Sequence, residues 1–68
     1  MEKIKIRDEF ITLGQLLKLA NLVSSGIEAK MVILDELVLV NGEIETRRGK
    51  KIRSGDIVEF NGQQIVVE

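Results

Sequence analysis

Apolar residues recur along this chain with two different periods. Over residues 2–6, Ile4 and Ile6 alternate with Glu2, Lys3 and Lys5. A period of two puts the isoleucines on one face of a short strand. Arg7 to Phe10 reads as a connection. From Leu13 the spacing becomes helical: Leu13, Leu16, Leu17 and Ala20 fall on one side. Thr12-Leu13-Gly14-Gln15 stands in front of them as a capping box, with Thr12 as N-cap and Gln15 reaching back to its amide. A first helix is predicted over about residues 12–21. Ser25-Gly26-Ile27-Glu28 repeats the device. Ala29, Val32 and Ile33 form the stripe behind it, flanked by Ile27 and Leu34, so a second helix runs to about Asp35. Leu22-Val23-Ser24 joins the two into an αα-hairpin.

The second half reads as strands. Leu37 to Val40 is a β-rich run, and Asn41-Gly42 after it supplies the two positive φ angles of a type I′ turn. Glu43 to Thr46 returns antiparallel. Ser54-Gly55-Asp56 is a turn, Ile57 to Phe60 a strand, Asn61-Gly62 a second hairpin turn, and Gln63 to Val67 the last strand. The predicted order is β-αα-ββ-ββ, an α+β fold with a two-helix hairpin packed on a small, mostly antiparallel sheet. Its 68 residues make a single domain, 1–68.

Charge changes this picture. Residues 1–46 carry five Lys/Arg against eight Asp/Glu, whereas residues 47–68 carry five against three. The net −1 therefore hides a polarised molecule. Five cations, Arg47, Arg48, Lys50, Lys51 and Arg53, lie within seven residues. Same-sign charges so close repel one another, which a merely solvated loop does not explain. A phosphate backbone would gather them, and Arg matches phosphate bidentately. Gly49 interrupts the run as a turn former. Lys18 and Lys30 lie off the apolar stripes and would frame a shared groove with the basic segment. Ser24, beside the cap residue Ser25, is placed to touch phosphate.

Composition narrows the chemistry. The chain has no Cys and no His, so thiolate metal sites, disulfides and the usual neutral-pH acid/base group are missing. No nucleophile–base pair or phosphate-cradling Gly motif is present, and the expectation is a chain without catalysis, cofactor or metal. Asp8-Glu9 and Asp35-Glu36 read as solvated pairs, and Asp56 as a local turn acceptor. No apolar run has the length of a signal peptide core or a membrane span, so the cytoplasm is the expected location. The only aromatics, Phe10 and Phe60, sit in apolar contexts. They predict no platform for stacking bases, and hence a ligand read through backbone and shape.

Two capped helices, then Val38-Leu39-Val40-Asn41-Gly42, then Thr46-Arg47-Arg48-Gly49-Lys50-Lys51, then Gly55-Asp56, resemble the S-four RNA-binding domain, named after the fourth protein of the small ribosomal subunit. Its helix pair and hairpin are also called the αL motif. The likeness covers about residues 10–60, and the chain looks most like the small stand-alone bacterial YaaA/YbcJ-like group. The resemblance implies that the helix pair and the basic loop contact structured RNA, ribosomal or transfer RNA, on the ribosome or elsewhere. Three positions depart from the family pattern. Thr12-Leu13-Gly14 stands where many members have Arg-Leu-Asp, which removes an expected phosphate contact. Met31 follows Lys30 where a second basic residue is common. Glu36 stands at a usual Gly, so either it is strained or the turn is built differently.

The leading expectation is a monomeric, non-catalytic module that docks on folded RNA through Arg47, Arg48, Lys50, Lys51, Arg53, Lys30, Lys18 and Ser24. The alternative is a protein-interaction adaptor in a larger complex, using the acidic side and a sheet edge.

Overall fold

The computed structural model describes residues 1–68. Its elements are β1 (Glu2–Ile4), β2 (Ile11–Thr12), α1 (Leu13–Leu19), α2 (Gly26–Leu34), β3 (Val38–Val40), β4 (Glu43–Ile44), β5 (Lys51–Ile52), β6 (Ile57–Phe60) and β7 (Gln63–Val67). The α+β class, the helix pair and the hairpins stand as the sequence predicts.

Five strands form one sheet in the order β1-β7-β6-β3-β4. β1 runs parallel to β7, and every other pairing is antiparallel. Asn41-Gly42 joins Val40 to Glu43 with φ of 51° and 85°. Asn61-Gly62 joins Phe60 to Gln63 with φ of 54° and 78°. Two positive φ angles in a two-residue loop match the strands' right-handed twist, which sets both registers. Val38, Val40, Val58, Ile65 and Val67 are thereby aimed inward and buried.

The helix pair covers this sheet. Leu13, Leu16 and Leu17 of α1 and Ile33 of α2 are fully buried in the shared core. Ile4 and Ile6 pack on its margin together, as their alternation requires.

Both helices end on a Schellman motif. After α1 the Leu22 amide donates to the Leu17 carbonyl and the Asn21 amide to that of Lys18, with Asn21 at φ 59°. After α2 the Leu37 amide donates to Val32 and the Glu36 amide to Ile33, with Glu36 at φ 63°. The turn is thus built in the ordinary way, with Glu36 in the left-handed conformation that a Cβ disfavours.

One expectation is corrected. The basic run is not a simple loop, and the order β-αα-ββ-ββ omits two short strands. Lys51-Ile52 pairs antiparallel with Ile11-Thr12 as a separate two-stranded sheet. Ile52 is fully buried in the core. The alternation Lys51-Ile52-Arg53 carries that signal, a lone apolar residue between cations, but charge dominates the segment.

The strained cap yields a prediction. Glu36→Gly removes the left-handed cost and raises stability by about 1 kcal/mol. Urea unfolding followed by circular dichroism checks it, with a higher midpoint at an unchanged m-value.

Candidate nucleic-acid interface

The start of α1 leaves backbone N–H groups without helical partners. The basic segment fills them: the Leu13 amide donates to the Lys50 carbonyl at 2.9 Å and the Gly14 amide to the Arg48 carbonyl at 3.0 Å. Gln15 Oε1 accepts from the Thr12 amide at 3.4 Å. The carbonyls of the cationic segment thus face the helix, and its side chains are spread around the helix start.

Gly14 lets this happen at close range. A Cβ there would lie 2.8 Å from Arg48 Cγ. The departure from Arg-Leu-Asp is therefore a steric device as well as a lost charge, because Arg48 lies across the bare backbone of α1.

The far end of the segment is held too. Asp56 Oδ2 accepts from the Arg53 amide at 2.8 Å, and Asp56 Oδ1 accepts from Asn41 Nδ2 at 3.0 Å. Asn41 Oδ1 in turn accepts from the Ile57 amide at 2.9 Å. Burial pushes the Asp56 carboxyl up, but the Arg53 amide, Asn41, Lys50 and Arg53 outweigh it and leave it below its ordinary value. Asp56 is the local acceptor expected of it.

Arg47 is engaged rather than free. Its Nε and Nη2 fork onto the Glu45 carboxylate at 3.0 and 3.1 Å, and its amide donates to the same group at 2.9 Å. The side-chain hydrogen bond from Arg47 is the largest influence on Glu45. Burial opposes it, while the Arg47 amide and the charges of Arg47 and Lys50 add to it. The carboxyl is lowered to about 2. Lys51 Nζ and the Arg53 guanidinium lie over the Phe10 ring, 5.0 and 5.8 Å from its centroid.

Three linked concavities result. A cleft beside the β1–β2 connection is lined by Lys5, Arg7, Lys18 and Gln15 among others. A groove between α1, α2 and the basic segment contains Gly14, Gln15, Lys18, Gly26, Arg48 and Gly49. A shallow basic bowl is formed by Arg47, Gly49, Lys50, Lys51 and Arg53. Gln15 and Lys18 link the first to the second, and Gly49 links the second to the third. Eight of the ten cations line this track, with Asp8 as its sole acid.

The predicted residues divide accordingly. Arg47, Arg48, Lys50, Lys51, Arg53 and Lys18 meet on the track. Lys30 is exposed on α2 but lines none of the concavities, so it does not frame the groove. The Ser24 hydroxyl donates to Glu28 at 2.9 Å and its amide to the same carboxylate at 2.7 Å. These two bonds, the amide's first, hold Glu28 below the ordinary carboxylate value. The second capping box is displaced by one residue: Ser25 Oγ accepts from the Glu28 amide, but Glu28 returns to Ser24 instead of Ser25. Lys5 and Arg7 were missed because they are separated in sequence from the cluster.

A family model of the S4 domain matches residues 4–68. The chain belongs to the S4-domain family. Among curated relatives, the probable ribosome maturation protein RlbA of Bacillus subtilis is 51% identical over 59 residues, covering 87% of this chain and 83% of that one. The putative RNA-binding protein YbcJ of Escherichia coli is 40% identical over 57 residues, covering 84% and 81%. The solution structure of YbcJ, described as an αL motif involved in RNA binding, superposes with a TM-score of 0.75 at 35% identity, over 98% of this chain and 86% of that one. Ribosomal protein S4e of Thermoplasma acidophilum shares the fold, with a TM-score of 0.64 at 24% identity over 85% of this chain and 31% of that one. The S4 domain here thus has its basic segment strapped to α1 and its helix start opened by Gly14.

Two measurements check this geometry. Glu45 has a lower pKa folded than unfolded, so the stability it contributes is present above about pH 4.5 and is lost as pH falls towards 2. An NMR titration should place its midpoint near 2, and Arg47→Ala should return it towards 4.5. Gly14→Ala should keep the fold, since Ala favours helix by up to about 1 kcal/mol. It should also shift Arg48, read as altered Arg48 side-chain chemical shifts.

Proposed function

We propose that this S4 domain is a non-catalytic RNA-binding module that docks on structured RNA, ribosomal or transfer RNA, through phosphate contacts. The observation that carries the reading is the continuous track of eight cations with a single acid. Phosphates bound along it would release condensed counterions, the dominant source of affinity for such a surface. Arg48 and Lys18 face the groove, and Lys50, Lys51 and Arg53 the bowl. Arg47 joins by exchanging Glu45 for phosphate or by using its outer N–H groups. Lys30 and Ser24 take no part in the track.

The names of the relatives support the same reading. One is called a probable ribosome maturation protein and another a putative RNA-binding protein. The ribosome or its precursors are therefore the first partner to try, and the cytoplasm the place. The chain acts as a monomer in this reading.

A protein-interaction adaptor is the second reading, and α2 favours it. Ile27, Met31 and Leu34 lie at i, i+4 and i+7, on one helix face, and are 75%, 58% and 58% exposed. The inner residues Ala29 and Ile33 are buried, so this helix is apolar on both sides. The sheet edge offers a single exposed apolar residue, Ile44 of β4.

The experiment is binding of a ribosomal RNA fragment and of a transfer RNA across a salt series. With six to eight contacts the log–log slope should be about −4 to −7. Arg48→Glu with Lys50→Glu should weaken binding on the order of tenfold or more at about 0.1 M salt. A flat salt response, together with a protein partner that survives nuclease treatment, would favour the adaptor instead.

A further inference from the structure

Phe10 is the one aromatic residue that the core cluster leaves out. Phe60 packs on the buried cluster, and Phe10 does not. Phe10 is only partly buried and forms the wall of the cleft beside the β1–β2 connection. Ile6 and Leu19 share that wall, and Leu19 is 54% exposed. Lys5, Arg7 and Lys18 line the same cleft. Lys51 and Arg53 sit over the Phe10 ring.

An apolar, partly aromatic wall with cations around it has two functions in one place. The wall suits the face of a flat base, and the cations suit the phosphates on either side of it. A fully paired helix presents no base face to such a cleft, because its bases are stacked within the duplex. We propose that the Phe10 cleft receives one unpaired nucleotide of the docked RNA, a bulged or looped-out base. It stacks on the apolar wall, displacing the long side chains of Lys51 and Arg53 from the Phe10 ring onto its phosphates, while Lys5, Arg7 and Lys18 hold the flanking phosphates. This inference rests on the RNA-binding reading above and adds a site to it. Asp8 also lines the cleft, and as an acceptor it repels phosphate and accepts from the amino group of a base.

The test uses two synthetic RNA hairpins of equal length. One is fully paired, and the other carries a single bulged 2-aminopurine. The wild-type protein should bind the bulged hairpin about fivefold or more tightly, the low end of what one stacked base contributes, and should change the 2-aminopurine fluorescence. Phe10→Leu keeps an apolar side chain and should lose both effects while still binding the paired hairpin. Lys5→Ala with Arg7→Ala, at exposed positions, should weaken the bulged hairpin more than the paired one. Free adenosine monophosphate offers the same base and phosphate. Its failure to displace the bulged hairpin marks the nucleotide as RNA-borne, and ready displacement overturns that assignment. Equal affinity for both hairpins, or a preference that survives Phe10→Leu, overturns the cleft while leaving the basic track intact. Loss of all RNA binding by the wild-type protein overturns the underlying reading instead.

Discussion

The capping of α1 by the backbone of the basic segment is the contact on which the rest of this structure depends. A helix start has donors that need acceptors, and a run of five cations needs something to hold it against its own repulsion. Each meets the other's need. The carbonyls of Arg48 and Lys50 accept from α1, Ile52 enters the core, and Asp56 accepts from the Arg53 amide. The backbone is tied at three points, and the charged side chains have only the outside left to occupy. A surface of like charges is thereby built on backbone hydrogen bonds, the Asp56 carboxylate and one buried isoleucine.

The same constraint decides which cations act together. Arg48 lies over Gly14 on the groove side, while Arg47, Lys50, Lys51 and Arg53 surround the bowl. The contact with α1 also brings the segment next to the β1–β2 connection through the β2–β5 pairing. Lys5 and Arg7, distant in sequence, thus extend the track. The acidic residues that dominate the first part of the chain fall outside it apart from Asp8. This separation of charge gives an otherwise near-neutral chain a face with a definite sign.

Most of the fold was legible because its signals are local. Thr12, Ser25, Asn41-Gly42 and Asn61-Gly62 each act within a few residues, and each works where it was expected. The two omitted strands are two residues long each and have no local signal strong enough to outweigh charge. Their pairing depends on where α1 sits. Glu36 shows the converse: its left-handed turn is imposed by the Schellman hydrogen bonds and the following strand, against its own preference. Ser24 looked available because its neighbour Ser25 is the cap, but the displaced return of Glu28 occupies it.

From the sequence alone came the α+β class, the capped helix pair, both hairpin turns and the basic run, since periodicity, capping and turn chemistry are properties of neighbouring residues. Tertiary structure decided how those charges are used. It paired Arg47 with Glu45, laid Arg48 across Gly14, joined Lys18 to the track while leaving Lys30 outside, and left Phe10 out of the core under Lys51 and Arg53. These outcomes depend on residues far apart in the chain meeting at a few ångströms, and no local pattern encodes such a meeting.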